Sequence, residues 1–273
     1  MSWKKLSCRV TQVGLISLSS LLSLSFLRVS PAIEFISPDE SSFEELGMEP
    51  EEVQNFIQPG QTNHRRQTAG TKRCPSDANL VVLVPSNLSG LTTQSDPAFF
   101  FYFIKYNQEL TENNLWIRFS LQDNLEQQEI YQTVIQVKLE KQGISSVTLL
   151  EEKQLLTLDV YKTYTWKFQI FSDEDPVGSY VQGLITRVQL PADVISQLEK
   201  ASPLQQVSIY AQRGIWFDAL ATLAELRRQD PHNPTLVAKW NELLTSVGLE
   251  NNVSSAPLIL EANSNTFMPV KCL

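Results

Sequence analysis

The side chains able to do chemistry are few and far apart. The chain has two histidines, His64 in a polar stretch and His232 in the turn-forming run DPHNP. Neither has a second histidine or a cysteine at the spacing a zinc site requires. No HExxH, GxSxG, GxxxxGK[ST] or GxGxxG occurs, so the common zinc-hydrolase, serine-hydrolase, phosphate-loop and dinucleotide signatures are missing. Asp and Glu together number 30, which leaves open a glycosidase-type carboxylate pair held roughly 5–10 Å apart across a cleft. In SDEDPVG (172–178) Asp173 and Asp175 could face a calcium ion, but the 12-residue loop spacing is absent and a solvated turn is the simpler reading. The expectation is a protein with no catalytic residue, no bound metal and no cofactor.

Binding chemistry has better candidates. In PAFFFYFIKY, if Phe99, Phe101 and Phe103 face a core, Phe100 and Tyr102 face the other way. With Trp116 they would offer a stacking surface for sugars or a peptide. Arg213, Arg227 and Arg228 are candidate contacts for a protein partner, set on helices near the carboxyl end. A polysaccharide is the alternative partner. Nucleic acid is not expected: residues 33–273 hold 18 basic against 30 acidic residues, a net −12, whereas phosphate binding needs a surplus of Lys and Arg.

The first 32 residues carry four basic side chains and no acid. The basic start MSWKKLSCRV is followed by the apolar run VGLISLSSLLSLSFL (13–27) and then by Ser30 and Ala32, small residues at −3 and −1 of a cleavage point before Ile33. That is the order of a secretory signal peptide. The run is short for a span of about 20 apolar residues, so the mature protein is expected to be exported, periplasmic or extracellular, without a stable membrane span. Two cysteines, Cys74 and Cys272, would survive processing. Export permits a disulfide between them, worth on the order of 4–5 kcal/mol in the chain-entropy view; two unpaired thiols are the other reading.

These residues need elements to position them. Residues 33–73 read as a disordered tail: positions 34–52 carry eight acids and no base, and RRQTAGTKR follows. From 74 to 190 the period is two. Leu115, Ile117, Phe119 and Leu121 alternate with Trp116, Arg118 and Ser120, and Tyr164, Trp166, Phe168 and Ile170 do the same. Such alternation marks half-buried strands, and six to eight of them without a helical interruption predict an antiparallel β-sandwich. From 191 to 249 the period becomes helical. Ser202, Pro203 and Gln205 form a capping box before one helix, Gly214 stops it, and Trp216, Ala219, Leu220, Leu223 and Leu226 make the apolar stripe of the next. Val194, Ile195 and Leu198 in PADVISQLEK make a short helix ahead of these two, Asn233 and Pro234 cap a fourth, Gly248 stops it, and 250–273 reads as a loose tail. The fold class expected is α+β, a sandwich with a C-terminal helical hairpin packed on it.

Two resemblances add to this. Residues 214–231, with the Gly214 turn, Trp216, Ala219 and the closing Asp230 and Pro231, resemble the second half of a tetratricopeptide repeat. Tyr210 fits the repeat's first helix, and Val207 stands where a small residue normally packs. One repeat cannot bury its own faces, so the hairpin must lean on the sandwich. Over about 74–249, the blocks LVPSNLSGLTTQSDPAFFFY, GIWFDALATLAELRR and AKWNELLTSVGL are together similar to the cyanobacterial domain-of-unknown-function family 928. That resemblance implies an exported protein and brings no site residues with it.

Overall fold

The computed structural model describes residues 32–48, 78–105, 115–136, 143–151, 154–155, 157–172, 175–249 and 251–259. His64, Cys74, Cys272 and Asp173, all discussed above, lie outside the described residues. The architecture is mixed α/β, with two larger sheets and a set of C-terminal helices. Strands β1 (Ala78–Val82), β3 (Phe99–Lys105) and β6 (Ile144–Val147) form a three-stranded antiparallel sheet in the order β1-β3-β6. Strands β2 (Ser89–Thr92), β4 (Leu115–Asp123), β5 (Gln128–Gln136), β9 (Thr163–Ser172) and β10 (Ser179–Arg187) form a five-stranded sheet ordered β2-β10-β9-β4-β5. A small ladder joins β7 (Leu150–Glu151) to β8 (Gln154–Leu155).

The alternation is realised side chain by side chain. In β4 the residues Leu115, Ile117, Phe119 and Leu121 are buried while Trp116, Arg118 and Ser120 are half-buried on the opposite face. Opposite them in β9 stand Ile170, Phe168 and Trp166. Phe99 and Phe101 of the three-stranded sheet meet Phe119 and Phe168 of the five-stranded one at ring separations of 4.7 and 5.3 Å. The core is therefore aromatic where the buried faces of the two sheets touch.

The strand order departs from the antiparallel expectation at one edge. β2 runs parallel to β10, pairing Ser89 with Leu184 and Thr92 with Arg187. A tight hairpin would force antiparallel pairing, but the chain between these two strands is long enough to return in either sense. Gly183 permits the close approach there: a Cβ would collide with the Leu88 carbonyl and the Trp166 indole.

The helices follow their start and stop signals. They are α2 (Ala192–Lys200), α3 (Pro203–Gln212), α4 (Trp216–Gln229), α5 (Pro234–Ser246) and the short α6 (Asn251–Ser254). Ser202 and Gln205 make the reciprocal capping box on α3. Asn233 caps α5 by accepting from the amides of Thr235 and Leu236. Gly214, at φ +71°, takes the left-handed turn between α3 and α4, a conformation other residues adopt only at a cost.

Parts of two segments expected as tails are described, and those parts are structured. Residues 32–48 form an extended strap followed by α1 (Glu40–Glu45), and the strap lies across the C-terminal helices. The amide of Ile33 donates to Glu242 Oε2 at 3.0 Å, that of Phe35 to Ser246 Oγ at 3.1 Å, and that of Ile36 to the Ala211 carbonyl at 3.0 Å. Phe35 packs edge-on to Trp216 at 5.1 Å. Phe43, Leu46 and Met48 bury against Leu91, Val188 and Ile215. The acids that suggested disorder, Glu34, Asp39, Glu44 and Glu45, all point to solvent, so composition averaged over the segment hides an apolar underside. At the other end Val253 and Ala256 are buried, and Ile144 and Leu258 form a parallel bridge. The supposed loose tail thus begins as part of the core. Among the described residues no helix is long and apolar enough to cross a membrane.

Candidate functional site

Two surfaces carry chemistry. The first is a groove of about 520 Å³ built where β10 runs out into α2. Arg187 and Leu190 supply one wall, Ile195 and Leu198 of α2 a second, Tyr210 of α3 the floor, and Thr93 and Val160 close it. Arg187 is fixed by donating Nη1 to the Leu158 carbonyl at 2.6 Å and Nε to the Thr93 carbonyl at 3.3 Å. Gln206 is likewise engaged, its amide donating to the Leu198 carbonyl at 3.0 Å. Burial raises the Tyr210 phenol above its usual range, and the nearby Asp218 charge adds to this, against a hydrogen bond with the Thr93 side chain.

Thr93 links the groove to a buried carboxylate behind it. Asp218 sits in the first turn of α4, 3% exposed. It accepts from the Thr92 hydroxyl at 2.7 Å, from the Thr93 amide at 3.1 Å, from the Thr93 hydroxyl in a short contact, and from the Gln94 amide at 3.3 Å. Burial pushes the carboxyl up from the ordinary 3.8, while these donors pull it down. Its acceptor sites are occupied by side chains of this molecule, so the arrangement clamps α4 to the end of β2. Sequence reasoning passed over Asp218; the available signal was one acid inside an apolar stripe, between Phe217 and Ala219.

The second surface is the outward face of the five-stranded sheet. Trp116 pairs with Phe171 across the β4–β9 ladder, and Gln169 pairs with Tyr180 across the β9–β10 ladder. Arg118 lies over the Phe171 ring at 4.8 Å and donates to Gln169 Oε1 at 3.1 Å. Lys167 lies over the Tyr180 ring at 4.4 Å, and Tyr180 is 52% exposed. The face therefore presents rings, amides and cations together.

The residues nominated from sequence separate. Phe100 is not an exposed ring: at 9% exposure it is buried as part of the core. Tyr102 is half-buried in the same strand and packs against the core. Trp116 belongs to the other sheet, so the three do not form one platform. Arg213 reaches Glu45 of α1 at 3.6 Å. Arg228 pairs with Glu225 at 2.6 Å on the exposed side of α4. Arg227 is not a surface contact: it is 8% exposed and its guanidinium lies over Trp240 at 5.0 Å. The helix turn that carries it faces α5, not solvent. His232 is exposed in the turn before α5. Asp175 accepts from the Gly178 amide at 3.0 Å, a turn-forming role. Among the described residues no three His, Cys, Asp or Glu side chains are grouped to hold a metal ion.

The described chain thus combines two larger sheets, an N-terminal strap and C-terminal helices. Residues 61–258 match the family described as Domain of Unknown Function (DUF928), and the chain belongs to that family. No curated protein matches it.

Proposed function

We propose that this is an exported, non-enzymatic protein that binds a partner protein through the groove floored by Tyr210. The observation that carries the reading is the state of the groove's groups. Its rim residues Val160 and Ile195 are 39% and 42% exposed, while Arg187 and Gln206 are already held by backbone carbonyls. Open apolar side chains beside fixed polar ones suit an apolar segment of another protein. They give little to acid–base chemistry, which needs groups free to exchange protons. The two sheets read as a sandwich, supported by the Phe99 and Phe101 contacts with Phe119 and Phe168. Helices α3 and α4 read as a tetratricopeptide-like hairpin, supported by the Gly214 turn and by Trp216 and Ala219 in the buried stripe. Export is supported by the basic and apolar leader and by the compact unit that begins at Ala32.

The test is recovery of partners with the mature protein from the exported fraction, comparing wild type with Ile195→Asp and Val160→Asp. Both side chains are at the rim, so melting temperatures should hold while a protein partner is lost. Undiminished recovery with both variants, or recovery of polysaccharide alone, would refute the groove reading. One observation favours a second reading. Trp116, Phe171 and Tyr180 with Gln169 and Arg118 resemble in chemistry a sugar-stacking face. Loss of polysaccharide retention in Tyr180→Ala, with the groove variants unaffected, would favour it.

A further inference from the structure

The leader is read as ending at Ala32, and the strap begins at Ile33. We propose that this cleavage does more than release the protein: it creates at Ile33 an α-ammonium group that forms an ion pair with Glu242 and locks the strap onto α5. The inference rests on the export reading above. The geometry is already in place. Ile33 N stands 3.0 Å from Glu242 Oε2, the Ile33 side chain is 3% exposed, and Ala32 is exposed. The residue that anchors the strap is therefore the first one after the cleavage point, and Ala32 beside it is exposed.

Hydrolysis changes what that nitrogen is. In the unprocessed chain it is a neutral amide with one N–H. Water adds across the bond between the Ala32 carbonyl and Ile33 N, leaving a carboxylate on the departing leader and an ammonium on Ile33. The contact, already assisted by the carboxylate's charge, becomes an ion pair in which the nitrogen carries a full positive charge and three donors. Cleavage acts on the chain during export, before folding, so the burial of Ile33 afterwards is no obstacle.

Glu242 is not otherwise idle. Lys239 Nζ lies 2.9 Å from the same oxygen, with side chains 6% exposed for Lys239 and 36% for Glu242. Glu34, next in the strap, is exposed. The carboxylate is thus shared between a lysine on its own helix and the strap terminus. The lysine contact is present before and after processing; only the terminus changes. Downstream the same strap seats Phe35 on Trp216 and Ile36 on α3, so fixing its first residue reduces the freedom of all that follows.

The direction with pH follows. An ammonium beside a carboxylate has its folded-state pKa raised above the unfolded value of about 7.7–8.0. Its contribution is complete below that range and is lost as pH rises through the raised value. Lys239 is present in every chain compared.

The experiment has two steps. Mass spectrometry of the exported protein fixes its first residue. Urea unfolding midpoints are then compared from about pH 6 to 9.5 for the chain starting at Ile33, the chain starting one residue earlier at Ala32, and E242Q in each. The expected result is a first residue of Ile33 and a midpoint advantage of the Ile33 chain that shrinks above about pH 8 and is absent between the two E242Q chains. An Ile33 terminus with the same pH profile in all four chains overturns the ion pair while leaving export intact. A different natural first residue overturns the cleavage reading and the lock with it.

Discussion

At its first turn α4 meets the sheet with its buried polar groups paired; at its last turn it meets α5 with buried nitrogens that have no partner among the described residues. Trp216 donates its indole N–H to the Leu83 carbonyl at 2.9 Å, and Asp218 gathers donors from Thr92, Thr93 and Gln94. In the last turn, Arg227 Nε and Nη1 and the Trp240 indole nitrogen make no hydrogen bond among the described residues. The Arg227 guanidinium is held by the face of the Trp240 ring instead, and burial lowers its pKa. Both ends are equally hidden from water, yet only the first is built as a directional clamp. The second is a packing contact that tolerates unmet polar groups. A satisfied buried group is costly to remove because its partner is left bare, whereas an unsatisfied one has already incurred that cost.

The comparison breaks first at Trp216. It is fully buried and touches both Phe35 of the strap and Leu83, the residue just after β1. Trp216→Ala should cost about 3–5 kcal/mol of unfolding free energy, read by urea denaturation. A loss under about 1 kcal/mol would mean that the α4 end is not the clamp.

Next in size is Asp218. Asp218→Ala strands the Thr92 hydroxyl and the Thr93 amide, with an expected loss of about 2–4 kcal/mol. Its pH dependence sharpens the point. Because burial raises the folded carboxyl above 3.8, its contribution is complete below the unfolded value and is lost as pH rises through the raised one. The stability difference between wild type and Asp218→Asn should therefore be greatest near pH 4 and shrink upward. A difference that grows with pH would show that the donors, not burial, set the carboxyl.

The two ends also differ in how far they could be read in advance. The stripe of Trp216, Leu220 and Leu223 was legible because a helix buries one face and its spacing repeats. The same logic exposed β4 and β9, whose buried and half-buried residues alternate. It failed for β2, where Ser89 to Thr92 are all buried and no alternation exists to be seen. It failed for the strap because the eight acids of 34–52 outweigh Ile33, Phe35, Phe43 and Leu46 in any average over that stretch, although the 33, 35 and 43, 46 spacings are those of one covered face. The groove was illegible because Thr93 reaches Arg187, Ile195 and Tyr210 through the parallel β2–β10 pairing, which no local pattern announces. Arg227 misled because a basic residue in a last turn ordinarily faces solvent and the helix dipole.

A matched pair of substitutions isolates hydrogen bonding from ring burial. Trp216→Phe removes an indole N–H that the Leu83 carbonyl needs; Trp240→Phe removes one that has no acceptor among the described residues. Both rings are fully buried, so the loss of volume is similar. Trp216→Phe should be the more destabilising by about 1–2 kcal/mol, measured as the difference in unfolding free energy at fixed pH. Equal losses would erase the distinction between the two ends.

The smallest effect is expected at Arg227, and its sign is what matters. Methionine keeps an unbranched stem and places a thioether against the Trp240 ring, a favourable contact in its own right. What Arg227→Met gives up is the cation–π attraction, about 2 kcal/mol when desolvated. What it relieves is the desolvation of a guanidinium with two nitrogens unpaired among the described residues, and replacing buried charges by packed apolar side chains is often neutral or stabilising. The two terms are of similar size, so the unfolding free energy should move by less than about 1 kcal/mol, toward stabilisation, in thermal and urea unfolding alike. A loss above about 2 kcal/mol would mean that the guanidinium has a carboxylate partner in a stretch of chain beyond the described residues, and the last turn of α4 would then be as directional as the first.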